Sequence, residues 1–190
     1  MRKFCILKEE LKIDMDEYDL NYYTYGLRIY KNMPLIEPVE TKENLRIEEL
    51  VIVVDTSYST SGELVKKFLR ETFTILSETD SFFRKRKIHI IQCDELVHSD
   101  ITVTGDTDID ILINNFELAG GGNTDFRPAF EYVNNLIDTG EIKKLQGLLY
   151  FTDGKGKYPK KKMPYNTAFV FIDKLSETAV PAWAMKVSLE

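Results

Sequence analysis

The hydrophobic pattern of the chain changes near residue 48, where apolar runs begin to alternate with amphipathic segments. Runs with the length of a buried strand lie at 50–55, 88–94, 101–104, 147–152, 168–172 and 183–188. Helical periodicity predicts helices over 62–78, 106–116 and 126–138. Strands that alternate with helices form a mostly parallel sheet covered on both faces. The pattern therefore predicts an α/β fold with three layers, α/β/α, around a central mostly parallel sheet.

The first 47 residues lack this alternation. Residues 2–12 place their apolar side chains at helical spacing and are predicted to form a short helix. Residues 16–30 are rich in tyrosine, with a period that fits either a helix or a strand, and two prolines then indicate an extended linker. We divide the chain into an N-terminal Tyr-rich arm and linker, residues 1–47, and an α/β domain, residues 48–190.

Composition narrows the class of protein. The chain has 190 residues and a net charge of −6, which argues against general nucleic-acid binding. No apolar run reaches the roughly 18 residues of a membrane span, and the N-terminus turns acidic too early for a signal peptide. The two cysteines, Cys5 and Cys93, lack the spacing of a zinc site, and Cys93 is expected to be a buried thiol. We therefore expect a cytoplasmic protein.

Three segments rich in oxygen ligands carry the candidate chemistry. Two of them follow predicted buried strands, and the third, a glycine-rich loop, opens a predicted helix. They are Asp55-Thr56-Ser57-Tyr58-Ser59, Thr152-Asp153-Gly154 and Gly120-Gly121-Gly122-Asn123-Thr124-Asp125. In open α/β sheets, ligands bind beyond the carboxyl ends of the strands. These segments therefore predict a site for a hard divalent cation.

The expected cation is Mg²⁺, which takes oxygen ligands in near-octahedral geometry and usually keeps several waters. The hydroxyls of Ser57, Ser59 and Thr124 can bind it directly, and Asp55 and Asp153 can hold its waters. Such a shell neutralises the metal poorly. It would leave a coordination position with high affinity for one more oxygen, ideally a carboxylate from a partner.

The three motifs in this order resemble the metal-ion-dependent adhesion site (MIDAS) of von Willebrand factor type A (VWA) domains. The resemblance covers roughly residues 48–190 and implies a Rossmann-like, VWA-type fold. It also implies direct metal ligation by Ser57, Ser59 and Thr124, with Asp55 and Asp153 in the outer shell. Tyr58 departs from the pattern, since a glycine is common there, and it could cover the metal in part or contact a partner.

Further segments resemble a bacterial VWA-like family of unknown function. They are Tyr22-Tyr23-Thr24-Tyr25-Gly26, Pro34-Leu35-Ile36-Glu37-Pro38 and Pro181-Ala182-Trp183-Ala184. In that family the domain follows a metallopeptidase-like segment, so this chain is expected to be part of a longer protein. Any catalysis is then expected outside the chain, which itself is not expected to be an enzyme.

The resemblance implies a divalent-cation-dependent protein-interaction module. Its partner would offer an Asp or Glu to Mg²⁺, with Mn²⁺ or Ca²⁺ as alternative ions. Bacterial VWA domains often work beside chaperone-like ATPases, so the resemblance suggests such a partner. Two alternatives stay open: an Mg²⁺-dependent phosphohydrolase at the same loops, and a purely structural metal site.

Other polar patterns have simpler interpretations. Asp106, Asp108 and Asp110 imitate a calcium loop, but the glycine needed for its sharp turn is absent, so helix capping is expected. Asp125 is interpreted as a helix cap and His89 as a structural residue. The lysines in 155–162 are interpreted as a solvated loop, with steering of an acidic partner segment as the alternative.

Overall fold

The computed structural model describes residues 6–46, 49–58, 62–77, 87–171 and 180–188. The described residues separate into two compact units, a smaller one of residues 6–46 and a larger one that contains the described residues from Glu49 onward. In the smaller unit, strands β1 (Ile6–Tyr18) and β2 (Pro38–Arg46) pair antiparallel, and helix α1 (Leu20–Tyr30) lies between them in sequence. The side chain of Asp19 caps α1 by accepting the N–H of Asn21 at 2.7 Å.

The helix predicted over residues 2–12 is wrong for its described part, because residues 6–12 belong to β1. The physical reason is non-local pairing: Ile6 lies opposite Arg46, and Leu11 opposite Thr41. Hydrogen bonds to a distant segment override a weak local helical pattern. The same pairing puts β2 where an extended linker was predicted.

The larger unit contains a six-stranded sheet in the order β5-β4-β3-β6-β7-β8. Only β5 runs antiparallel to its neighbour, so the sheet is mostly parallel as predicted. Each strand lies within a few residues of its predicted position: β3 (Glu49–Asp55), β4 (Lys87–Cys93), β5 (Val97–Thr104), β6 (Gly147–Thr152), β7 (Asn166–Phe171) and β8 (Met185–Ser188).

Helices cover both faces of this sheet, which confirms the three-layer architecture. They are α2 (Gly62–Ser77), α3 (Ile109–Asn114) and α4 (Arg127–Asp138). Alternate residues of β3 face opposite sides, since Ile52 joins the core formed with α2 and α3, whereas Val53 joins the core formed with α4. All apolar residues of β3 are buried. The continuous apolar run therefore reflects a central strand covered on two sides.

The strand order of the sheet reverses between β3 and β6. From β3 the chain goes to β4 on one side, and it returns to β6 on the other. Val54 lies opposite Phe151 in β6, so the residues just after these strands meet at one edge. A reversal of strand order opens a crevice at the carboxyl ends. This edge is where two of the three oxygen-rich segments were predicted.

Several local predictions can be judged directly. Asp108 caps α3 by accepting the N–H of Ile111 at 3.0 Å, and Asp110 lies in the first turn, which supports the capping interpretation of these two aspartates. His89 is buried and paired with Asp100, as expected of a structural residue. Within the described part of the chain, no helix is both long and apolar enough to cross a membrane.

Candidate metal site

Asp55 is the centre of the candidate site. It is the last residue of β3 and its side chain is fully buried. One carboxylate oxygen accepts the backbone N–H of Ser57 at 2.9 Å, and the other accepts the hydroxyl hydrogen of Thr152 at 2.5 Å. Since Thr152 ends β6, this contact ties together the two strands that flank the crevice.

The electrostatics of Asp55 favour a nearby cation. Burial raises the pKa of its carboxyl above the ordinary value, and the negative charge of Asp153 raises it further. Hydrogen bonds from Thr152 and Ser57 oppose this by lowering the pKa. A buried carboxylate with a second negative charge nearby is stabilised in its charged form when a cation binds beside it.

The segment after β6 is shaped by short backbone contacts. The N–H of Gly154 donates to the Thr152 hydroxyl at 3.0 Å, and the N–H of Lys155 donates to Asp153 at 3.1 Å. Gly154 has a φ of 86°, a conformation that favours glycine. The turn thus keeps Thr152 directed at Asp55 and leaves Asp153 partly exposed at the rim.

The glycine-rich loop is held against the same edge by Asp94, which follows β4. The N–H of Gly122 donates to the Asp94 carboxylate at 3.0 Å, and the N–H of Asp125 donates to the Asp94 backbone oxygen at 3.2 Å. Gly120 has a φ of 135°, and a β-carbon there would lie 2.5 Å from the Thr56 hydroxyl. The glycine permits a close approach that brings this loop beside the segment carrying Asp55.

Asp94 is a residue that the sequence reasoning missed. Its side chain also contacts the His98 ring at 2.8 Å and accepts the N–H of Leu96 at 2.9 Å. Burial raises its pKa, but the hydrogen bonds from Leu96, Gly122 and His98 outweigh this and lower the pKa to about 2. The sequence does contain a signal for this role, because Asp94 stands at the carboxyl end of a predicted buried strand, as Asp55 does.

Thr124 lies beside the loop that follows β6. A β-carbon on Gly156 would lie 2.7 Å from the Thr124 methyl group, so the two segments are in close contact. The backbones of Asp125 and Lys157 form a bridge, and Phe126 donates its N–H to the Lys157 oxygen at 3.1 Å. The third oxygen-rich segment is therefore joined to the second.

The structure brings Asp55, Ser57 and Asp153 together at the carboxyl edge, and it holds Thr124 against the adjoining loop. Ser59, the remaining predicted ligand, lies outside the described residues. Tyr58 is 93% exposed, so its ring projects into solvent. Its ring is available to a partner.

The predicted ligands are all oxygen donors. In the described ranges, no group of three or more His, Cys, Asp or Glu side chains converges as a metal site. The candidate ligands are instead two carboxylates and a set of hydroxyls, all of them hard oxygen donors of the kind that Mg²⁺ prefers. The residues present fit this ion.

Asp125 also serves the helix that follows. Its carboxylate accepts the backbone N–H of Arg127 at 3.1 Å and pairs with the Arg127 guanidinium at 2.5 Å. The pair lowers the pKa of Asp125, chiefly through the Arg127 side-chain hydrogen bond. The N-cap position itself belongs to Phe126, whose side chain makes no capping hydrogen bond, so the prediction that Asp125 is the N-cap is wrong by one residue. The Asp125 carboxylate nonetheless accepts the N–H of the first helical residue, and Pro128 lies in the first turn of α4.

Comparisons with known proteins agree with this fold. The crystal structure of the SpRpn10 VWA domain is similar with a TM-score of 0.51 and 15% sequence identity, covering 75% of this chain and 87% of that chain. This level of identity shows a shared fold. No curated protein matches the chain. The family model described as VWA-like domain (DUF2201) matches residues 50–190, which is most of the sequence. The chain therefore belongs to the VWA-like domain family (DUF2201).

Proposed function

We propose that this chain is a divalent-cation-dependent protein-interaction module. Mg²⁺ would bind at the carboxyl edge of the sheet and present an open coordination position to a partner. An Asp or Glu side chain of a partner protein would fill that position. The module would bind its partner without catalysis. A chaperone-like ATPase is one partner class that the proposal accommodates.

The contact between Asp55 and Thr152 is the observation that carries this proposal. A buried carboxylate at the point where strand order reverses is costly unless hydrogen bonds or a cation compensate its charge. Thr152 and Ser57 supply hydrogen bonds, while Asp153 adds a second negative charge. The negative charges of Asp55 and Asp153, beside exposed loops, therefore favour binding of a cation.

The roles of the residues follow from their chemistry. Ser57, Ser59 and Thr124 would supply neutral hydroxyl ligands, and Asp55 and Asp153 would accept hydrogen bonds from water on the metal. None of these five residues would then place a charged group directly on the ion. It would retain much of its charge for a carboxylate from a partner, as a binding module requires.

The first test is a titration of Mg²⁺ followed by thermal unfolding. At a free Mg²⁺ concentration ten times Kd, binding stabilises the fold by about 1.4 kcal/mol, which raises Tm by roughly 3–6 °C for a domain of this size. We expect this shift in the wild-type chain and its loss in Ser57→Ala. Ser188→Ala, at an exposed serine of β8, is the matched control and should keep the shift. An equal shift in Ser57→Ala would contradict the proposed ligand set.

A second experiment separates binding from the two alternatives. Partner capture from cell extract is compared with and without chelator, and with the Ser57→Ala/Ser59→Ala variant. Binding predicts partners that disappear with the metal, whereas a structural metal site predicts unchanged partners. Mg²⁺-dependent turnover of a phosphate ester, abolished by Asp55→Asn, would support the enzyme alternative and overturn the proposal.

A further inference from the structure

A groove lies between α4 and the loop that follows the candidate metal site. It has a volume of about 700 Å³, within the range of roughly 300–1,000 Å³ that is usual for ligand clefts. The groove is lined by the α4 residues Arg127, Phe130 and Glu131 and by loop residues that include Tyr158 and Lys160. We propose that this groove binds an acidic segment of a partner protein that carries an apolar side chain. This inference rests on the proposed function, because the same segment would supply the carboxylate to the metal.

The floor of the groove is apolar and held in place. Phe130 is 1% exposed, and Tyr158 and Met163 are partly buried beside it. The Tyr158 ring packs against Phe126 at a centroid distance of 4.6 Å, and its hydroxyl donates to the Gly154 oxygen at 3.0 Å. A preformed apolar floor favours binding, because a partner side chain can enter without reordering the loop.

The rim of the groove is basic. Lys157, Lys160 and Lys161 are exposed, and within the described ranges the structure shows no ion pair for any of them. Arg127 is already paired with Asp125, and Glu131 is the only acidic residue among the described residues that line the groove. A protein with a net charge of −6 thus presents a local positive surface here. Charge complementarity selects an acidic occupant and speeds its association.

The loop that lines the groove also contacts the segments of the candidate metal site. Lys155 donates its N–H to Asp153, Gly156 lies against Thr124, and Lys157 bridges to Asp125. This loop therefore begins at a candidate ligand. A single extended segment can place a carboxylate at the metal and the following residues across the groove. The lysines would contact its acidic residues, and the apolar floor would receive its apolar side chain.

Direct binding of defined peptides tests this inference. The probe is a short fluorescein-labelled peptide with a Phe-Leu pair flanked by glutamates, and fluorescence anisotropy with Mg²⁺ gives Kd. A peptide with glutamines in place of the glutamates tests the charge requirement. The variant Lys160→Gln/Lys161→Gln removes two charges from the rim. Its matched control, Lys143→Gln/Lys144→Gln, removes two exposed lysines that precede β6, at the amino end of the sheet.

We expect Kd for the acidic peptide to rise about fivefold in Lys160→Gln/Lys161→Gln and to stay unchanged in the control. Met163→Glu, which places a carboxylate at the floor, should weaken binding further, with circular dichroism to verify folding. The glutamine peptide should bind less tightly than the acidic one, and added salt should narrow the difference. Equal Kd values for both lysine variants, or no binding of the acidic peptide, would overturn the groove assignment.

Repeating the titration in chelator distinguishes failure of this inference from failure of the proposed function. Binding that persists in chelator but weakens in Lys160→Gln/Lys161→Gln would support the groove and contradict the metal-dependent module. Binding that is lost in chelator but is indifferent to Lys160 and Lys161 would support the module and overturn the groove.

Discussion

The hydroxyl of Thr152 donates to the carboxylate of Asp55 at 2.5 Å, across the pair of strands where the order of the sheet reverses. Both side chains are fully buried. Thr152 also accepts the N–H of Gly154, so one hydroxyl links the end of β3 to the turn that carries Asp153. The contact serves the fold and the candidate site together.

Removing the Thr152 hydroxyl should destabilise the domain. Thr152→Val keeps the shape but withdraws a hydrogen bond from a buried carboxylate, at an expected cost of about 1.5–3 kcal/mol in the free energy of unfolding. Thr167→Val is the matched control, because Thr167 is a buried strand threonine whose hydroxyl has no hydrogen-bond partner in the described structure. It should be neutral or stabilising. Urea unfolding of both variants provides the comparison, and equal losses would contradict the role given to Thr152.

Alanine substitutions at two adjacent glycines should destabilise the domain to different extents. Gly120 and Gly121 have φ values of 135° and 116°, so both substitutions strain the backbone by about 1–3 kcal/mol. A β-carbon at Gly120 would also lie 2.5 Å from the Thr56 hydroxyl and 2.9 Å from Asp94, whereas at Gly121 it meets no atom within 4 Å. Chemical unfolding should therefore show a larger loss for Gly120→Ala.

Gly120→Ala, compared with a substitution at a third glycine, also tests the candidate site. Gly120→Ala should displace the loop that positions Thr124 and reduce the thermal shift caused by Mg²⁺. Gly140→Ala, with a φ of 77° and open space around it, introduces comparable strain just beyond α4 and should leave that shift intact. A Mg²⁺ response in Gly120→Ala equal to that of Gly140→Ala would be inconsistent with a loop anchored on Asp94.

The free energy of unfolding should depend on pH through the carboxylate of Asp94. Its pKa is lowered from 3.8 to about 2 in the folded chain, so its hydrogen bonds stabilise the fold fully above pH 4. That contribution is lost as the pH falls through about 2. The size of the shift corresponds to about 2 kcal/mol. At pH 6 the free energy of unfolding of the wild type should exceed that of Asp94→Asn by about 2 kcal/mol. This difference should shrink between pH 4 and pH 2.

Unfolding by urea at each pH measures the difference directly. Asp138→Asn, at the exposed end of α4, is the control and should follow the wild-type curve. A gap between wild type and Asp94→Asn that is constant from pH 6 to pH 2 would show that the charge of Asp94 does not hold the glycine-rich loop.

The sheet was predictable because its signals are local. The apolar runs ending at Asp55 and Thr152 have the length and β-branched content of strands buried on both faces, and each element of the larger unit lies close to its predicted position. The small unit was not predictable in the same way. Residues 6–12 form a strand only because residues 40–46 pair with them, and no local pattern specifies that partner.

The residues of the candidate site were likewise predictable only where their sequence signals are local. Asp55, Ser57, Thr124 and Asp153 were identified from their positions after strands and in a glycine-rich loop, since strand ends of a parallel sheet converge. The role of Asp94 depends on Gly122 and Asp125 folding back onto it from about thirty positions along the chain. Contacts of this kind follow from tertiary structure, so the sequence marks the residue only as another carboxylate after a strand.

Cys93 should be chemically inert while the domain is folded. Burial raises the pKa of its thiol to about 12, with further increases from the charges of Asp94 and Asp55 against a lowering hydrogen bond to Tyr150. At pH 8 roughly one molecule in ten thousand would then carry a thiolate, the reactive form, and the side chain is fully buried. In a Cys5→Ser variant, Ellman's reagent should label Cys93 only in the small fraction of molecules that is unfolded at any moment. Labelling in urea gives the fully reactive reference, and the native rate should rise with urea in proportion to the unfolded population. Rapid labelling of the native chain would contradict the buried position of β4 beside the candidate site.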